Sequence, residues 1–426
     1  MDSKVALAIV VVIIIIAAAA FYLAGQGGEE QAPTGTEVQT IQIGVLLPLT
    51  GDLGSFGKTN QEAVKMAEAD VNKYLEDQGA NFRIQLVIVD TETKPSVALQ
   101  KFDALYQQGI RFFIGPMSSG ELSEIVSEIQ QGKEAVVISQ SSTAPSLALK
   151  DTVFRFPPPD ELQGKVLAEL YQNDGVTHVI IVYRNDDWGS GLAGFVENYF
   201  TQLGGTVAAK IPYDPQSPNF DNLVQEIANQ VDQLTAQGVA PENIGVELIA
   251  FEEASQILGT ASQYSQLAQV KWYGSDGTAL SQQILQNQDA ASFAVQVKWK
   301  NTITFGLTDK TKDVYCALLN KLGYPPDPYS LIAYDAVWVM ALAIQQAGGP
   351  DASVQDVANA IPQVVKTYNG VTGTITLNEY GDRVATDYGI FEIVEQNGQY
   401  QWVLTEIWKY QTEQFEQITE NPLQCS

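Results

Sequence analysis

Residues 41–57, IQIGVLLPLTGDLGSFG, constrain the fold more than any other part of this 426-residue chain. The segment begins with a short, nearly continuous apolar run, as expected for a strand buried on both faces of a parallel sheet. Pro48 ends that run, and a loop with three glycines follows, where the backbone can turn sharply and a ligand can approach closely. Helical spacing of apolar residues from Asn60 to about Tyr74 predicts a helix after the loop. This order is typical of a binding site at the carboxyl end of a sheet, and also of an ordinary βα turn.

The alternation of strands and helices continues beyond this segment. Strands are predicted at residues 83–90, 111–114 and 135–139, and helices at residues 96–108 and 121–131. A βαβαβ alternation of this kind predicts an α/β fold with a parallel, doubly wound sheet.

A second set of alternating elements begins after the sequence FRFPPP at residues 154–159. Three consecutive prolines hold the chain extended, and we interpret this segment as the first crossing to a second lobe. Further strands are predicted at residues 179–183, 206–213, 245–251 and 271–274. Residues 294–300 alternate in polarity and predict an exposed or crossing strand.

The domain organisation follows from these segments. We expect a first lobe of residues 41–159 and 303–388, a second lobe of residues 160–302 and 389–415, and a C-terminal tail of residues 416–426.

The N-terminal region has a different composition. Residues 5–24 are an unbroken apolar run, and a helix of that length spans about 30 Å, the hydrocarbon core of a bilayer. Residues 1–25 are therefore predicted to be a retained membrane anchor, with a cleaved signal segment as the alternative. Residues 26–40 are rich in Gly, Glu, Gln and Thr and predict a flexible linker.

Charge and residue counts exclude several classes of function. The net charge of −27 repels phosphate backbones, so nucleic-acid binding is not expected. The only histidine is His178, which leaves little for a catalytic triad or a histidine-rich metal site. No nucleophile–base pair is visible in the sequence. The chain is therefore predicted to be a non-enzyme without a cofactor or a metal ion.

The two cysteines, Cys316 and Cys425, do not have metal-ligand spacing. If the globular part lies outside the cell, a disulfide between them would hold the C-terminal tail, and two thiols are the alternative.

Small hydroxyl residues follow the ends of two predicted strands of the first lobe. They are Ser118, Ser119, Ser141, Ser142 and Thr143. Hydroxyl groups and backbone N–H groups just before helix N-termini favour an anion, so these loops predict a carboxylate-binding site. The same residues would also serve as helix N-caps and turn formers.

Asp276 follows a predicted strand of the second lobe, in WYGSDGT. If it faces the hydroxyl loops, it can bind an ammonium group through a charge-assisted hydrogen bond, and the alternative is a turn aspartate. Phe56, Trp188 and Phe251 also lie just past strand ends. These three side chains could line an apolar pocket or cover an ammonium group, although each alone is more typical of a core.

Seven short motifs together resemble one family. VLLPLTGDLGSFG, IGPMSSGE, ISQSSTAPSL, FRFPPPDELQGK, VYRNDDWGSG, WYGSDGT and YDAV occur in that order. The ordered set resembles the leucine/isoleucine/valine-binding family of solute-binding proteins, with the type I periplasmic-binding fold, over about residues 41–410. The resemblance implies two Rossmann-like lobes joined by three crossings, hinge closure around an amino acid, and delivery to the permease subunits of an ABC importer.

The resemblance also implies roles for individual residues. The positions that bind the ligand carboxylate in the family match Ser119, Ser141 and Thr143, and Asp276 matches the acidic residue that binds the α-ammonium group. The aromatic positions around the ligand match Phe56, Trp188 and Phe251. Phe251 stands where a tyrosine is common, and Asp276 is shorter than the glutamate of some members. Because members also bind amides, urea-like compounds and aromatic acids, a small polar solute is implied more firmly than leucine.

Two functions remain open from the sequence. The first is a solute-binding protein of the cell surface or a periplasm-like space, anchored to the cytoplasmic membrane by its N-terminal segment or secreted if that segment is cleaved. The second is a sensory or structural cell-surface protein that uses the same ligand-binding fold.

Overall fold

The structure is a computed structural model, and it describes residues 38–425. The predicted anchor or signal segment, residues 1–25, and most of the predicted linker lie outside the described residues. Within the part of the chain that is described, no helix is both long and apolar enough to cross a bilayer.

Strands of the first half form a five-stranded sheet in the order β2-β1-β3-β4-β5. They are β1 (Gln39–Leu47), β2 (Phe82–Asp90), β3 (Phe112–Ile114), β4 (Val136–Ser139) and β5 (Val153–Arg155). The pairs β1–β3, β3–β4 and β4–β5 are parallel, as the alternation of elements predicts. Residues 43–47 of β1 are all buried, which explains the continuous apolar run in the sequence.

The second sheet has eight strands in the described residues, in the order β13-β12-β11-β10-β9-β8-β6-β7. They are β6 (His178–Arg184), β7 (Thr206–Tyr213), β8 (Ile244–Ile249), β9 (Lys271–Gly274), β10 (Lys300–Phe305), β11 (Asp387–Gln396), β12 (Gln399–Lys409) and β13 (Gln414–Gln417). The strands β6 to β10 pair in parallel, and β11 to β13 add an antiparallel edge. A parallel sheet with an antiparallel edge is common in doubly wound folds.

Helices connect the strands of both sheets. Those before β6 are α1 (Gly54–Asp77), α2 (Pro95–Gln107), α3 (Ser119–Gln130) and α4 (Asp160–Asn173). The next are α5 (Asp187–Gln202), α6 (Asp221–Ala236), α7 (Ala254–Ala261), α8 (Gln282–Gln286) and α9 (Gln288–Val297). The last are α10 (Thr311–Leu322), α11 (Pro328–Gln346) and α12 (Val354–Thr367). The helices α10 and α11 contact α1, and α12 contacts α11 and β4, so the chain returns to the first sheet after β10.

The helix α1 begins within the glycine loop, six residues before the predicted start at Asn60. Gly57 makes this early start possible, because a Cβ atom there would collide with the backbone oxygen of Pro48. Gly51 supplies the turn before the helix with a φ of +86°, a conformation that glycine adopts readily.

The predicted strand at residues 294–300 is wrong. The helix α9 continues to Val297, Lys298 ends it in a left-handed conformation, and β10 begins only at Lys300. The buried side chains of α9 recur at helical spacing, and α9 contacts α7. They are Ala290, Ala291, Phe293, Ala294 and Val297. The alternation of polarity therefore reflects a short stretch of a helix that is apolar on one face.

In the described residues the chain passes between the two sheets three times, at residues 156–159, 306–310 and 368–386. We call the half around the first sheet the first lobe and the half around the second sheet the second lobe. The predicted boundaries at residues 302/303 and 388/389 fall inside β10 and β11, which both belong to the second sheet.

Two buried carboxylates hold the third crossing. Asp335 of α11 accepts hydrogen bonds from the backbone N–H groups of Val371 and Thr372 at 2.9 Å, and from the Thr372 hydroxyl at 2.6 Å. Asp382 forms a two-point ion pair with Arg155 of β5, at 2.6 and 2.7 Å. The YDAV motif, which contains Asp335, therefore serves the connection between the lobes.

A disulfide joins Cys316 of α10 to Cys425, with 5.6 Å between the Cα atoms. It attaches the C-terminal tail, beyond β13, to a helix that contacts the first lobe.

Candidate functional site

A cavity lies between the two lobes, at the carboxyl ends of strands from both sheets. The first lobe contributes Leu53, Phe56, Met117, Ser118, Ser119, Ser141, Thr143 and Tyr329, and the second contributes Trp188, Phe251, Asp276 and Gly277. The structure thus brings together all of the predicted site residues except Ser142. The two sheets meet at this cavity because each presents its strand ends to the other lobe.

One end of the cavity is suited to an anion. Ser119 is the first residue of α3, and its Oγ accepts hydrogen bonds from the backbone N–H groups of Thr143 (3.2 Å) and Ala144 (3.1 Å). Since these bonds use only the lone pairs of Ser119 Oγ, its hydroxyl proton remains available for donation into the cavity. The N-terminus of α3 adds a partial positive charge and backbone N–H groups without intrahelical partners.

The other predicted serines use their hydroxyl groups within the loops. Ser118 caps α3 in a capping box with Glu121, donating to its carboxylate at 2.8 Å and accepting from its backbone N–H at 3.3 Å. Ser141 donates to the backbone oxygen of Met117 at 2.8 Å. Ser142 donates to the same oxygen at 3.1 Å and does not line the cavity. The hydroxyl of Ser142 therefore supports the loop, because the turn after β4 directs it toward the backbone.

Another part of the cavity, formed where the second lobe contributes Asp276, is suited to a cation. Asp276 follows β9 and is buried, and its Oδ2 accepts a hydrogen bond of 2.5 Å from the hydroxyl of Tyr329, which belongs to the first lobe. Among the described residues, nothing forms a hydrogen bond with Asp276 Oδ1 or with Thr143 Oγ1. Burial raises the pKa of Asp276 to about 6, because the ionised carboxylate has lost its hydration. An ammonium group placed here would supply the missing donor.

A second acid, Asp160, lies behind Thr143. Its backbone N–H donates to the backbone oxygen of Thr143 at 3.0 Å, and its side chain is fully buried at the start of α4. Neither carboxylate oxygen of Asp160 has a hydrogen-bond partner of good geometry in the part of the chain that the structure describes, although the side chains of Thr143 and Trp188 lie near enough to lower the Asp160 pKa. Burial first, and the neighbouring charge of Asp276 second, raise the pKa of Asp160 well above its ordinary value.

Stacked aromatic rings form one wall of the cavity. Trp188 and Phe251 lie face to face with 4.7 Å between ring centroids. Behind them, the guanidinium carbon of Arg184 lies 3.7 Å from the centroid of the Phe251 ring. Arg184 itself is held by Glu253, at 2.9 Å. Phe251 is therefore held between Trp188 and Arg184, and both rings present an apolar surface to the cavity.

Polar contacts outside the cavity join the two lobes. Glu252 of the second lobe accepts hydrogen bonds from the backbone N–H (3.2 Å) and the hydroxyl of Ser55, near the N-terminus of α1. The Ser281 hydroxyl donates to the same carboxylate at 2.8 Å. The backbone N–H of Glu252 donates to the backbone oxygen of Asp52 at 3.1 Å. These contacts close the cleft on the side of the glycine loop.

Sequence reasoning missed several residues of the site. Leu53, Met117 and Gly277 lie inside motifs that the sequence analysis quotes, so their position was a usable signal. Asp160 also lies inside a quoted motif, FRFPPPDELQGK, and was not selected, whereas Tyr329 carried no local signal. Tyr329 reaches Asp276 only because α11 returns to the first lobe, and Asp160 meets Asp276 only because the first crossing passes under the cleft.

Comparisons with known proteins agree with this architecture. A sequence model of the receptor family ligand binding region matches residues 59–396. An uncharacterised protein of Methanocaldococcus jannaschii is 34% identical over 409 residues, which cover 91% of this chain and 94% of that protein. The leucine-, isoleucine-, valine-, threonine- and alanine-binding protein of Pseudomonas aeruginosa is 24% identical, over 83% of this chain and 90% of that protein.

A solved structure is similar in fold. The leucine-binding protein LivK of Thermotoga maritima superimposes with a TM-score of 0.73 at 20% identity, over 87% of this chain and 99% of that one. The two-sheet architecture, the match over most of the chain and these relatives lead to one assignment. The chain belongs to the family described as the receptor family ligand binding region, has the type I periplasmic-binding fold, and is similar in sequence to leucine/isoleucine/valine-binding proteins.

Proposed function

We propose that this protein is an extracytoplasmic solute-binding protein that traps an amino acid between its lobes and delivers it to an ABC importer. The observation that carries this proposal is the pairing of opposite polarities across one cavity. The first lobe offers the hydroxyl of Ser119 and the N-terminus of α3, and the second lobe offers the unpartnered oxygen of Asp276. A zwitterion is the small solute that satisfies both ends at once.

In this proposal the ligand carboxylate accepts hydrogen bonds from the Ser119 hydroxyl and from the first backbone N–H groups of α3. The α-ammonium group donates to Asp276 Oδ1 and to Thr143 Oγ1, two oxygens of the cavity lining that have no hydrogen-bond donor among the described residues. The hydroxyl of Thr143 is thus proposed to bind the ammonium group, whereas the resemblance implied a contact with the carboxylate. Hydrogen bonds between charged groups in a site without water are stronger than those between neutral groups.

Closure follows from the same contacts. Since Ser119 and Asp276 belong to different lobes, the ligand makes all of its bonds only when the lobes are together. It therefore shifts the hinge equilibrium by its differential affinity for the closed state. Glu252 and Ser55 support the closed arrangement without touching the ligand.

The ligand side chain is proposed to be small and apolar. Phe56 and the stacked pair Trp188–Phe251 surround the remaining part of the cavity, and Phe251 carries no hydroxyl for a polar side chain. The Pseudomonas relative is named for binding leucine, isoleucine, valine, threonine and alanine. Branched-chain and other small amino acids are therefore the first candidates.

Partners and location are part of the proposal. The apolar run at residues 5–24 would anchor the protein at the outer face of the cytoplasmic membrane, or would be removed as a signal segment. Permease subunits of an ABC importer would receive the ligand from the closed lobes. No catalytic step is proposed.

A binding screen tests the proposal. Thermal unfolding of the purified protein is measured with amino acids, their amides and their deaminated acids, and hits are confirmed by calorimetry. Only compounds with both an ammonium group and a carboxylate should raise the unfolding temperature. Asp276→Ala should abolish binding, whereas the control Glu395→Ala, at an exposed position of β11, should not change it.

Equal stabilisation by amides or deaminated acids would contradict the proposal, as would unchanged affinity in Asp276→Ala. Ligand uptake by cells that lack the protein tests delivery. Normal uptake together with loss of a behavioural response to the ligand would favour the sensory role instead.

A further inference from the structure

Two buried acids, Asp276 and Asp160, lie at the ammonium end of the cavity, where one ligand cation is proposed to bind. Asp276 Oδ1, Thr143 Oγ1 and both carboxylate oxygens of Asp160 lack a hydrogen-bond partner of good geometry among the described residues. Thr143 and Trp188 lie near enough to Asp160, and Gln163 near enough to Asp276, to lower the pKa values of these acids, but none of the three carries a positive charge. Asp276 and Thr143 line the cavity, and the buried Asp160 is bonded through its backbone to Thr143. A buried carboxylate without a partner is strongly unfavourable, so this arrangement requires an explanation.

The nearest cation does not neutralise Asp160. Arg155 lies close enough to lower the Asp160 pKa, but Asp382 binds its Nε and Nη2 atoms at 2.6 and 2.7 Å. The remaining Nη1 atom donates to the backbone oxygen of Ala144 at 2.6 Å. Arg155 is therefore engaged elsewhere and does not form an ion pair with Asp160.

The other titratable groups around the pair are acids and phenols. Tyr329 and Tyr388 experience the charges of both Asp160 and Asp276, and Glu247, on the central strand β8, experiences that of Asp276. Glu247 is already bonded to the hydroxyl of Tyr171 at 2.6 Å, and burial raises its pKa to about 8. None of these groups brings a positive charge to Asp160.

We propose that Asp160 is a positioning residue for the ammonium end of the site, which holds one proton in the empty cleft and releases it when a cationic ligand binds. This inference rests on the proposed function and deepens it. In the empty cleft, the protonated Asp160 carboxyl directs its O–H toward Thr143 Oγ1. When the ammonium group arrives, Asp160 ionises and accepts the Thr143 hydroxyl proton, and the Thr143 lone pairs turn to the ligand.

The protons balance in this scheme. The ligand enters and stays as an ammonium ion, Asp276 is an anion throughout near neutral pH, and one proton leaves Asp160 for the solvent. A full positive charge is needed to displace the proton. A neutral amide in place of the ammonium group therefore leaves Asp160 protonated, and the lone pairs of Thr143 Oγ1 do not turn to the ligand.

The sign of the pH dependence follows from the proton release. Binding that releases a proton becomes tighter as pH rises, by at most about tenfold per pH unit for one proton. Burial places the Asp276 pKa at about 6 and the Asp160 pKa well above its ordinary value. Below about pH 6 both acids contribute to the pH dependence, and above about pH 7 only Asp160 contributes.

Calorimetry separates the two acids. The ligand identified by the screen, with L-leucine as the first probe, is titrated at pH 5.5 and pH 7.5 in two buffers that differ in ionisation enthalpy. The difference in heat gives the number of protons released. The variants are Asp160→Asn, which cannot hold the proton, and the matched control Asp151→Asn. Asp151 is also partly buried, with its pKa raised to about 6, but it lies outside the cavity in the loop before β5.

The wild-type protein and Asp151→Asn should release a measurable fraction of a proton at pH 7.5, up to about one. Asp160→Asn should release none at pH 7.5, should bind with an affinity that no longer rises between pH 7 and pH 8, and should still release protons from Asp276 at pH 5.5. Circular dichroism and thermal unfolding establish that the variant is folded, and removal of an unpartnered acid should raise its unfolding temperature at pH 7.5.

Two results overturn the inference, and they are distinguishable. If the wild-type protein binds the amino acid without proton release at pH 7.5, or if Asp160→Asn keeps the wild-type profile, the role of Asp160 is refuted while the proposed function stands. If no cationic ligand binds to the wild-type protein, both are refuted.

Discussion

Replacing Asp276 by asparagine should stabilise the protein and weaken ligand binding at the same time. Asparagine has nearly the shape of aspartate but carries no charge to be buried. The Asp276 pKa rises from an ordinary value of 3.8 to about 6, and one pKa unit corresponds to about 1.4 kcal/mol. The ionised carboxylate therefore lowers the free energy of unfolding by about 3 kcal/mol at pH 7, which is the upper limit of the gain in Asp276→Asn.

The sign of this effect with pH provides the assay. Because the pKa is raised in the folded protein, ionisation disfavours folding, and this penalty grows from about pH 4 to pH 6 and then stays constant. The difference in unfolding free energy between Asp276→Asn and the wild type should therefore increase over that range and level off near neutral pH. Denaturant unfolding of both proteins in the absence of ligand, at half-unit steps from pH 4 to pH 7.5, measures it.

Binding should change in the opposite direction. Removing one charge of a buried ion pair costs about 2–4 kcal/mol, so the affinity for an amino acid should fall by roughly 30- to 700-fold at pH 7. A purely structural role for Asp276 predicts a lower free energy of unfolding in the variant and an unchanged affinity for the amino acid. A variant that is less stable than the wild type by a pH-independent amount, or that binds with unchanged affinity, would refute the reasoning.

Two further substitutions test the hinge and the cavity wall. Asp382→Asn leaves the fully buried Arg155 without its partner and should lower the free energy of unfolding by about 3–5 kcal/mol in denaturant titrations, whereas Glu379→Gln, in an exposed ion pair, should have little effect. Gly277→Ala places a Cβ atom against a backbone oxygen and both stacked rings. Calorimetry should show at least a tenfold loss of affinity, and Gly194→Ala, where nothing lies within 4 Å, should bind normally.

Much of the fold was predictable because local patterns and tertiary structure agree. The buried run in β1, the glycine loop and the helix α1 each follow from residues adjacent in sequence. The parallel order of the first sheet follows from the alternation of elements, because right-handed crossovers leave few other topologies.

Prediction from local patterns failed where a short stretch fitted both the two-residue period of a strand and the 3.6-residue period of a helix. Residues 294–300 alternate in polarity over seven positions, too few to separate a strand from one face of a helix. The contact of α9 with α7 decides the question. The sequence also did not reveal the orientation of Ser142. Its hydroxyl donates to the loop backbone, and this depends on the three-dimensional path of the loop.

The sequence by itself determined the alternating elements, the loops at the strand ends and the types of side chain that those loops carry. Only the tertiary structure decided which of those side chains meet. Tyr329 reaches Asp276 from a position 53 residues away, and the charge of Asp276 acts on Asp160 across more than a hundred intervening residues. Contacts of this kind depend on how two sheets close over one cleft, and desolvation in that cleft sets the pKa values of its acids. Neither the closure nor the desolvation is encoded in any local stretch of the chain, because both arise from the packing of segments that are distant in sequence.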